Sequence, residues 1–415
     1  MMDWHSKIRE DFERFARDLP RPLENYIHDT YGISLASEYA GLPIKNPFGK
    51  ASGQLSLNAR QVQRDAEAGL GFVVLKTVIA QDETGAQSMK AWAIPATKMT
   101  VEEIMGTREA VKGERGWTVT WKGRGWSESF EAYLEFFGKA IEIGSQANML
   151  VVPSVKYHLP KPGETVWRTD EYEFTTSKLY EIWNRHHPLT PSLKRSGDRS
   201  MPLEKDFSPT LAGDQNFSRE QENILNWLRT VPRLIKETTV GKDIQLGLKL
   251  FNAAHSDDFQ LKMLDLCESS EPRADYVIYG NRLFDSEKSY DGVNGVAYGG
   301  PDLSDRNLSI LSRCRHTLPV SATGNITTGT IAFEYLKRGA TSFQMHTLFQ
   351  LPDSEFALKS GTRTQRALHR LLFHPDHGFL MVLLSEKETH AWPDGISIPE
   401  IARFYGTRFQ NLNFV

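Results

Sequence analysis

The sequence predicts an α/β protein built as a (β/α)8 TIM barrel, and two regions of the chain carry that prediction. Residues 46–78 read as a short buried strand, a helix and a second apolar strand. A unit of this length joins two parallel strands. Over residues 244–347 strands and helices alternate, which is typical of an α/β barrel or a doubly wound sheet. At least six strands are visible, which suits an eight-stranded barrel with two units that the pattern does not resolve.

The composition excludes several classes of protein. The chain has 415 residues, enough for one large domain or two ordinary ones, and its net charge of −3 gives no sign of nucleic-acid binding. It contains no apolar run of about 18 residues, so we expect no membrane span. The charged N-terminus lacks the apolar core of a signal peptide, and two cysteines cannot form a four-cysteine iron–sulfur cluster. We therefore expect a cytoplasmic protein.

The first half of the chain contains two irregular stretches. Residues 1–32 form a predicted N-terminal helical extension, and a hairpin over 33–45 opens the barrel region, which we assign to 33–350. Residues 80–128 are rich in Gly, Trp and charge, and they predict a long loop with a hairpin. Residues 160–218 predict a second insertion with a helix near 171–185. Between the two insertions the pattern predicts a helix over 128–146 and a strand over 149–155.

The second half alternates regularly. A helix over 219–239 is expected to break at Pro232. The predicted elements that follow are strand 244–251, helix 257–269, strand 275–280, a Gly-rich loop at 291–303, helix 303–315, strand 318–324, helix 327–339 and strand 341–347. Residues 351–415 predict a C-terminal helical extension with helices near 354–373 and 398–405.

Polar residues at the strand ends are the first candidate site residues. Parallel α/β proteins bind ligands at the carboxyl ends of their strands. Lys76 directly follows an apolar strand, and Lys249 lies inside the apolar run LGLKLF. Because lysines are rarely buried without a partner, two such lysines suggest a shared site for an electron-rich ring or an anion. The alternative is two unrelated lysines at the barrel rim.

Glycine-rich strand ends are the second group of candidates. One strand ends at Gly324-Asn325 with a helix just beyond, and the next ends at His346-Thr347. Small residues let backbone N–H groups approach an anion, and a helix N-terminus favours negative charge. Gly299 and Gly300 supply a further loop of this kind. The pattern favours a phosphate site over ordinary βα turns.

Six segments, in the same order along the chain, resemble the FMN-dependent dihydroorotate dehydrogenases and the pyrimidine-oxidising barrel of dihydropyrimidine dehydrogenase. The resemblance covers roughly residues 33–79 and 244–350 and is weak over 80–243. The segments are AGLPIKNPFGKASG (40–53), GLGFVVLKTV (69–78), LGLKLF (246–251), YGNRL (279–283), YGGPDL (298–303) and ATGNITTGTIAFEYLKRGATSFQMHTLF (322–349).

This resemblance implies an FMN-binding barrel in which a proton leaves one substrate carbon and a hydride passes from the adjacent carbon to flavin N5. It implies that Lys249 stabilises negative charge on the N1–O2 side of the reduced flavin. The residues it places against the flavin or substrate are Ala51, Ser52, Lys76, Thr77, Lys249 and Asn281. Those it places around the phosphate are Gly299, Gly300, Gly324, Asn325, His346 and Thr347.

Two loops depart from the family pattern. The family's catalytic loop is similar to Asn-x-Ser-Cys-Pro-Asn, whereas residues 203–210 carry Asp206 in place of an asparagine and no cysteine. Ser208 is the candidate base, with Thr210 behind it and Asp206 as its activating neighbour; the alternative is a serine-bearing surface turn. The family's asparagine-rich substrate loop is replaced by 80–128, which contains Trp117, Trp121 and Trp126.

Three functions remain open. The first is an FMN-dependent oxidoreductase acting on a CH–CH or C=C bond next to a carbonyl or amide of a small, non-pyrimidine molecule, because the asparagines that read the pyrimidine are missing. The second is a genuine dihydroorotate or dihydropyrimidine dehydrogenase, and the third a flavin-binding subunit without catalysis. The sequence does not identify the electron acceptor. The resemblance implies a homodimer as one expectation, because members of the family are often dimers. We expect no metal site; His374 and His377 read as a capped turn.

Overall fold

The computed structural model describes most of the chain. The residues it describes are 3–95, 99–120, 125–161, 163–186, 200–207, 221–252, 256–290, 293–314 and 317–412.

The strands are short and mostly buried. In chain order they are β1 (Ile33–Ser34), β2 (Ser37–Tyr39), β3 (Leu42–Ile44), β4 (Phe48–Lys50), β5 (Phe72–Val74), β6 (Val78–Ile79), β7 (Thr100–Met105), β8 (Arg115–Thr120), β9 (Leu150–Val152), β10 (Ser154–Lys156), β11 (Met201–Asp206), β12 (Ile244–Lys249), β13 (Tyr276–Tyr279), β14 (Leu283–Tyr290), β15 (Val293–Tyr298), β16 (Val320–Thr323), β17 (Ala340–Met345) and β18 (Ile396–Ser397).

The helices between the barrel strands are amphipathic. In chain order the α-helices are α1 (Trp4–Arg14), α2 (Leu23–Tyr31), α3 (Ala59–Ala68), α4 (Phe130–Gln146), α5 (Thr169–His186), α6 (Gln221–Lys236), α7 (Asp257–Ser269), α8 (Pro301–Arg313), α9 (Gly329–Lys337), α10 (Arg363–Phe373), α11 (Phe379–His390) and α12 (Ile398–Leu412). No helix in the described part of the chain is long and apolar enough to cross a membrane.

A closed parallel barrel lies at the centre of the described residues. Two strand positions are each split in two, β5 from β6 by residues 75–77 and β9 from β10 by Pro153. β5 pairs with β9 and β6 pairs with β10, so both halves keep the same neighbours. Around the rest of the barrel the strands lie in the order β10, β11, β12, β13, β16, β17, β4, β5. Each strand pairs with the next one in this order, and every pair is parallel. Ten segments therefore form eight strand positions, and the predicted (β/α)8 barrel is confirmed.

Residues 160–218 are not the single insertion that the sequence predicts. They contain α5, which matches the helix expected near 171–185, and β11, which is the fourth barrel strand. The sequence of β11 does not resemble a buried strand because it includes the charged residues Glu204, Lys205 and Asp206. All three are at least 95% buried in the structure, where Tyr39 and Gln344 donate to Glu204 and Thr77 donates to Asp206.

Two further predictions are wrong in detail. The predicted break at Pro232 does not occur, and α6 runs through it. The buried face of α6 includes Leu228 and Ile235, and its packing offsets the roughly 3 kcal/mol that an interior proline costs a helix. The Gly-rich stretch 291–303 is not a loop throughout, because β15 pairs with β14 as an antiparallel hairpin.

The two ends of the chain pack together. β1 pairs with β18, and the ring of Phe12 stacks on His369 of α10 at 4.6 Å between centroids. Between residues 351 and 415, α10 begins nine residues later than expected, at Arg363, and α11 has no counterpart among the predicted helices. The hairpin predicted over 33–45 is present as β2 and β3, and its Tyr39 reaches into the barrel from the amino ends of the strands.

Candidate functional site

Hydroxyl and carboxylate groups from four neighbouring strand positions meet at the carboxyl end of the barrel. Thr77 Oγ1 lies 2.9 Å from Ser52 Oγ and 3.0 Å from Ser154 Oγ, and it donates to Asp206 Oδ2 at 3.5 Å. Ser52 follows β4, Thr77 lies between β5 and β6, Ser154 begins β10 and Asp206 ends β11. Three residues that the sequence proposes separately are therefore parts of one hydrogen-bonded cluster.

The two predicted lysines lie beside this cluster. Lys76 is 4% exposed and Lys249 is 3% exposed. Burial lowers the pKa of Lys76 to about 8; the nearby Asp206 opposes the shift, whereas Lys249 and Lys156 add to it. Lys76, Lys249 and Asp206 are thus close enough to act on one another electrostatically.

Two further lysines at the same end escape the sequence prediction. Lys156 and Lys205 are fully buried, and their Nζ atoms donate to the backbone oxygen of Asp206 at 3.5 and 3.3 Å. Lys156 lies over the ring of Trp92 at 5.0 Å, and Lys205 lies over Phe207 at 4.7 Å. Burial lowers the pKa of Lys205 well below its ordinary value, and the charge of Lys156 lowers it further. Lys156 carries the same sequence signal as Lys76, a lysine at the end of an apolar strand.

The low pKa of Lys76 predicts a pH-dependent stability difference. Its folded pKa of about 8 lies below the ordinary 10.5, so the charged side chain destabilises the folded state. This penalty is complete below pH 8, about 3 kcal/mol, and disappears as the pH rises from 8 to 10.5. We expect Lys76→Met to unfold at higher urea concentration than the wild type at pH 7, and this advantage to shrink by pH 10. The control is Lys242→Met, which removes a lysine at an exposed site. If Lys76→Met is more stable than the wild type by the same amount at pH 7 and pH 10, the pKa of Lys76 is not lowered.

His346 lies against the end of the first strand. A Cβ placed on Gly53 would come within 2.9 Å of His346 Cδ2, so a side chain at position 53 would displace the imidazole. Ala51 N–H donates to the oxygen of Met345 at 2.9 Å, which joins this strand end to that of β17. Burial and the cations Arg282, Lys50, Lys76 and Lys249 keep the pKa of His346 well below its ordinary value. These surroundings therefore favour the neutral imidazole.

The turn after β16 combines backbone access with an unsatisfied polar atom. Gly324 has φ +101° and Asn325 has φ +56°, and a Cβ on Gly324 would lie 2.7 Å from the oxygen of Gly280. Asn325 Nδ2 donates to Ser304 Oγ at 2.8 Å. Asn325 Oδ1 is buried and has no hydrogen-bond partner among the described residues. The turn leads into the N-terminus of α9, which favours an anion.

Asn307 of α8 connects the carboxyl ends of three barrel strands, β12, β13 and β16. Its Nδ2 lies 2.9 Å from the oxygen of Gly280, 3.1 Å from that of Thr323 and 2.9 Å from Tyr335 Oη. Its Oδ1 accepts from Asn252 Nδ2 at 2.8 Å. The sequence gives no signal for this role, because an asparagine inside a helix reads as a surface residue.

Asn307→Ala is expected to lower the free energy of unfolding by about 3 kcal/mol. The substitution leaves the buried oxygen of Gly280 and the Asn252 amide without their partner, whereas the oxygen of Thr323 still accepts from Tyr335 Oη at 3.3 Å. Each unsatisfied group that water does not reach costs roughly 1–3 kcal/mol. Urea unfolding of the purified protein measures the change. Asn226→Ala on the exposed face of α6 is the control, with an expected change under about 0.5 kcal/mol. A loss under about 1 kcal/mol for Asn307→Ala would mean that Asn307 does not hold the strand ends.

The insertion at 80–128 covers the Gly299–Gly300 loop. Gly299 N–H donates to Thr118 Oγ1 of β8 at 3.0 Å, and a Cβ on Gly300 would lie 2.6 Å from Ile104 Cγ2 of β7. The carboxylate of Asp302 accepts from the backbone N–H groups of Thr107 and Arg108 at 2.7 and 3.0 Å. The hairpin that the sequence predicts in this stretch is present, and it occupies the N–H of Gly299.

The remaining candidates are spread around the same end of the barrel. Asn281 N–H donates to the oxygen of Leu250 at 3.0 Å, and Thr347 begins a 3-10 turn at Thr347–Gln350. Trp126 stacks on Phe136 of α4 at 5.6 Å, and Trp117 lies under the guanidinium of Arg115 at 5.0 Å. The proposed base Ser208, together with Thr210 and Trp121, lies outside the described residues.

The histidine pair near the C-terminus lies beside the first turn of α9, where Thr330 N–H donates to the oxygen of His377 at 3.2 Å. The rings of His374 and His377 stack with centroids 3.4 Å apart, and burial lowers the pKa of His377 to about 4. Within the described ranges, no three His, Cys, Asp or Glu side chains come together in a way that could hold a metal ion.

Comparison with known proteins finds likeness in fold but not in sequence. No family model matches the chain, and no curated protein matches it. Among solved structures it is similar to DHODH from Eimeria tenella, crystallised in complex with ferulenol, with a TM-score of 0.53. The alignment covers 95% of this chain and 94% of that chain at 13% sequence identity, so the likeness is one of fold.

Proposed function

We propose that this protein is an FMN-dependent oxidoreductase that acts on a CH–CH or C=C bond next to a carbonyl or amide of a small molecule. The observation that carries the proposal is the meeting of Lys76, Lys249 and Asp206 at the carboxyl ends of the barrel strands. Buried cations at this position suit a ligand that gains negative charge during the reaction. DHODH abbreviates dihydroorotate dehydrogenase, and the likeness in fold to that structure supports the proposal of an oxidoreductase.

The residues present fit FMN. Bound FMN would supply the hydride-accepting N5 atom. Lys249 would hold the N1–O2 edge of the ring, and Ala51, Ser52, Thr77 and Asn281 would lie along it. At the phosphate end, the turn at Gly324 and Asn325 offers close backbone approach and the unsatisfied Oδ1 of Asn325, which suits a hydroxyl donor next to a phosphate. His346 and Thr347 would close this end, whereas Gly299 contributes less because Thr118 already accepts from its N–H.

On the substrate side, Lys76 would contact both the ring and the substrate. Ser208, two residues after Asp206, remains our proposed base, and a serine needs a neighbouring acceptor to remove a proton. Asp206 is the nearest carboxylate in sequence and already accepts from Thr77. Lys156 would add positive potential where a carbonyl oxygen becomes negatively charged, whereas the lowered pKa of Lys205 disfavours its charged form.

The first experiment is identification of the cofactor. We expect the purified protein to be yellow and to release FMN on denaturation, identified by mass spectrometry. Compounds with an activated CH–CH or C=C bond are then screened anaerobically for loss or return of the flavin colour. A colourless protein that does not bind added FMN would refute the function; a yellow protein that no compound reduces would favour a non-catalytic flavin subunit.

Dihydroorotate dehydrogenase activity is the second candidate function. The observation in its favour is that the fold match to DHODH extends over nearly the whole length of both chains. Anaerobic addition of dihydroorotate separates the two candidates. Rapid bleaching of the flavin would support the second candidate, and no bleaching would leave a different substrate as the better proposal.

A further inference from the structure

A line of buried polar groups crosses the barrel interior below Lys249. Lys249 Nζ donates to Gln344 Oε1 at 3.5 Å. Gln344 Nε2 donates to a carboxylate oxygen of Glu204 and lies 3.2 Å from Tyr39 Oη, while the Tyr39 hydroxyl donates to the same carboxylate oxygen. The amide of Gln344 therefore connects a cation to an anion, with its oxygen towards Lys249 and its nitrogen towards Glu204.

Burial of the Glu204 carboxylate in this line is energetically unfavourable. Glu204 and Tyr39 are fully buried, and Gln344 is 1% exposed. The second oxygen of Glu204, Oε2, has no hydrogen-bond partner among the described residues. Burial raises the pKa of Glu204, and the charge of Lys249 opposes this. A glutamine would fill the same space without a charge, so the carboxylate points to a requirement for negative charge below Lys249.

We propose that Glu204 is a positioning residue that acts through Gln344 on Lys249 and lowers the reduction potential of the bound flavin. The proposal rests on the proposed function, because it needs FMN above Lys249. A lone lysine at the N1–O2 edge would stabilise the negative charge of the reduced ring and raise the potential. Glu204 offsets part of that charge, and Gln344 keeps the ammonium in a fixed place.

The test is the midpoint potential of the FMN-loaded protein, measured by equilibration with a reference dye. We expect Glu204→Gln to bind FMN and to raise the ratio of reduced to oxidised flavin about tenfold at a fixed dye potential, which is about 30 mV for a two-electron couple. The matched control is Glu142→Gln at an exposed site on α4, with no expected shift. An FMN-loaded Glu204→Gln protein with the wild-type potential overturns the proposal.

A double-mutant cycle with Lys249→Gln tests the route of the effect. If Glu204 acts through Lys249, the shift caused by Glu204→Gln becomes smaller when Lys249 is already replaced. Equal shifts in both backgrounds overturn the positioning role. Wild-type protein that binds no FMN overturns the proposed function as well, so the two failures are distinguishable.

Tyr39→Phe provides a second variant if Glu204→Gln does not fold. It removes one O–H dipole from the carboxylate and keeps the charge, so the negative potential at Lys249 increases. We expect a shift of about threefold in the opposite direction, towards the oxidised flavin. A Tyr39→Phe protein that binds FMN and shows no shift, or a shift towards the reduced flavin, contradicts the proposal.

Discussion

Lys249→Gln is expected to slow anaerobic reduction of the bound flavin by about 100- to 1000-fold, the usual cost of removing one group that stabilises developing charge. The side chain is buried and lies among Lys76, Gln344 and Glu204. The measurement is the rate of loss of flavin colour with the best compound from the screen. The amount of FMN bound per chain is determined on the same sample.

A matched control lies at the other end of the same strand. Lys242 precedes β12 at the amino end of the barrel and is exposed, so Lys242→Gln removes the same charge away from the site. We expect its rate to equal that of the wild type. If Lys249→Gln binds FMN and is reduced at the wild-type rate, Lys249 does not contact the reacting ring.

Asp65→Ala is expected to lower the free energy of unfolding by about 3–5 kcal/mol, which is the largest change in stability that we predict. Lys50 Nζ donates to Asp65 Oδ1 between β4 and α3, and Thr364 Oγ1 of α10 donates to the same oxygen at 2.8 Å. Lys50 is 5% exposed and Asp65 is fully buried. Removal of the carboxylate takes away the counter-charge of a buried ammonium that otherwise contacts Thr364 Oγ1 at 3.3 Å and the ring of Phe349 at 4.7 Å.

Urea unfolding of two further variants shows whether the unpaired charge causes the loss. Lys50→Met combined with Asp65→Ala removes both charges and is expected to recover much of the stability, because the desolvation penalty disappears with the ions. Glu142→Ala breaks the exposed pair with Lys139 on α4 and is expected to change stability by less than about 1 kcal/mol. A double variant as unstable as Asp65→Ala alone would mean that packing, rather than charge, is responsible.

Most barrel strands are readable in the sequence because apolar runs of this kind are buried on both faces. Phe72–Val74 and Tyr276–Tyr279 are fully buried in the structure, and both lie inside segments that the sequence predicts as strands. The strand-end positions of Lys76 and Thr77 follow from the same pattern. The hairpin that covers Gly299 could be predicted only as a hairpin, because nothing local to β7 and β8 indicates which loop they contact.

The sequence by itself determined the fold class, the order of most elements and the end of the barrel that carries the cations. Only the tertiary structure decided that β11 is a barrel strand and that Lys205, Glu204 and Gln344 belong to the candidate site, whereas the position of Lys156 at the end of an apolar strand is readable in the sequence. The physical reason is that a local pattern reports average hydrophobicity, and charged residues read as exposed. Glu204 is stable inside the barrel because its partners come from Tyr39, 165 positions away, and Gln344, 140 positions away. Contacts at such separation exist only once the barrel has closed.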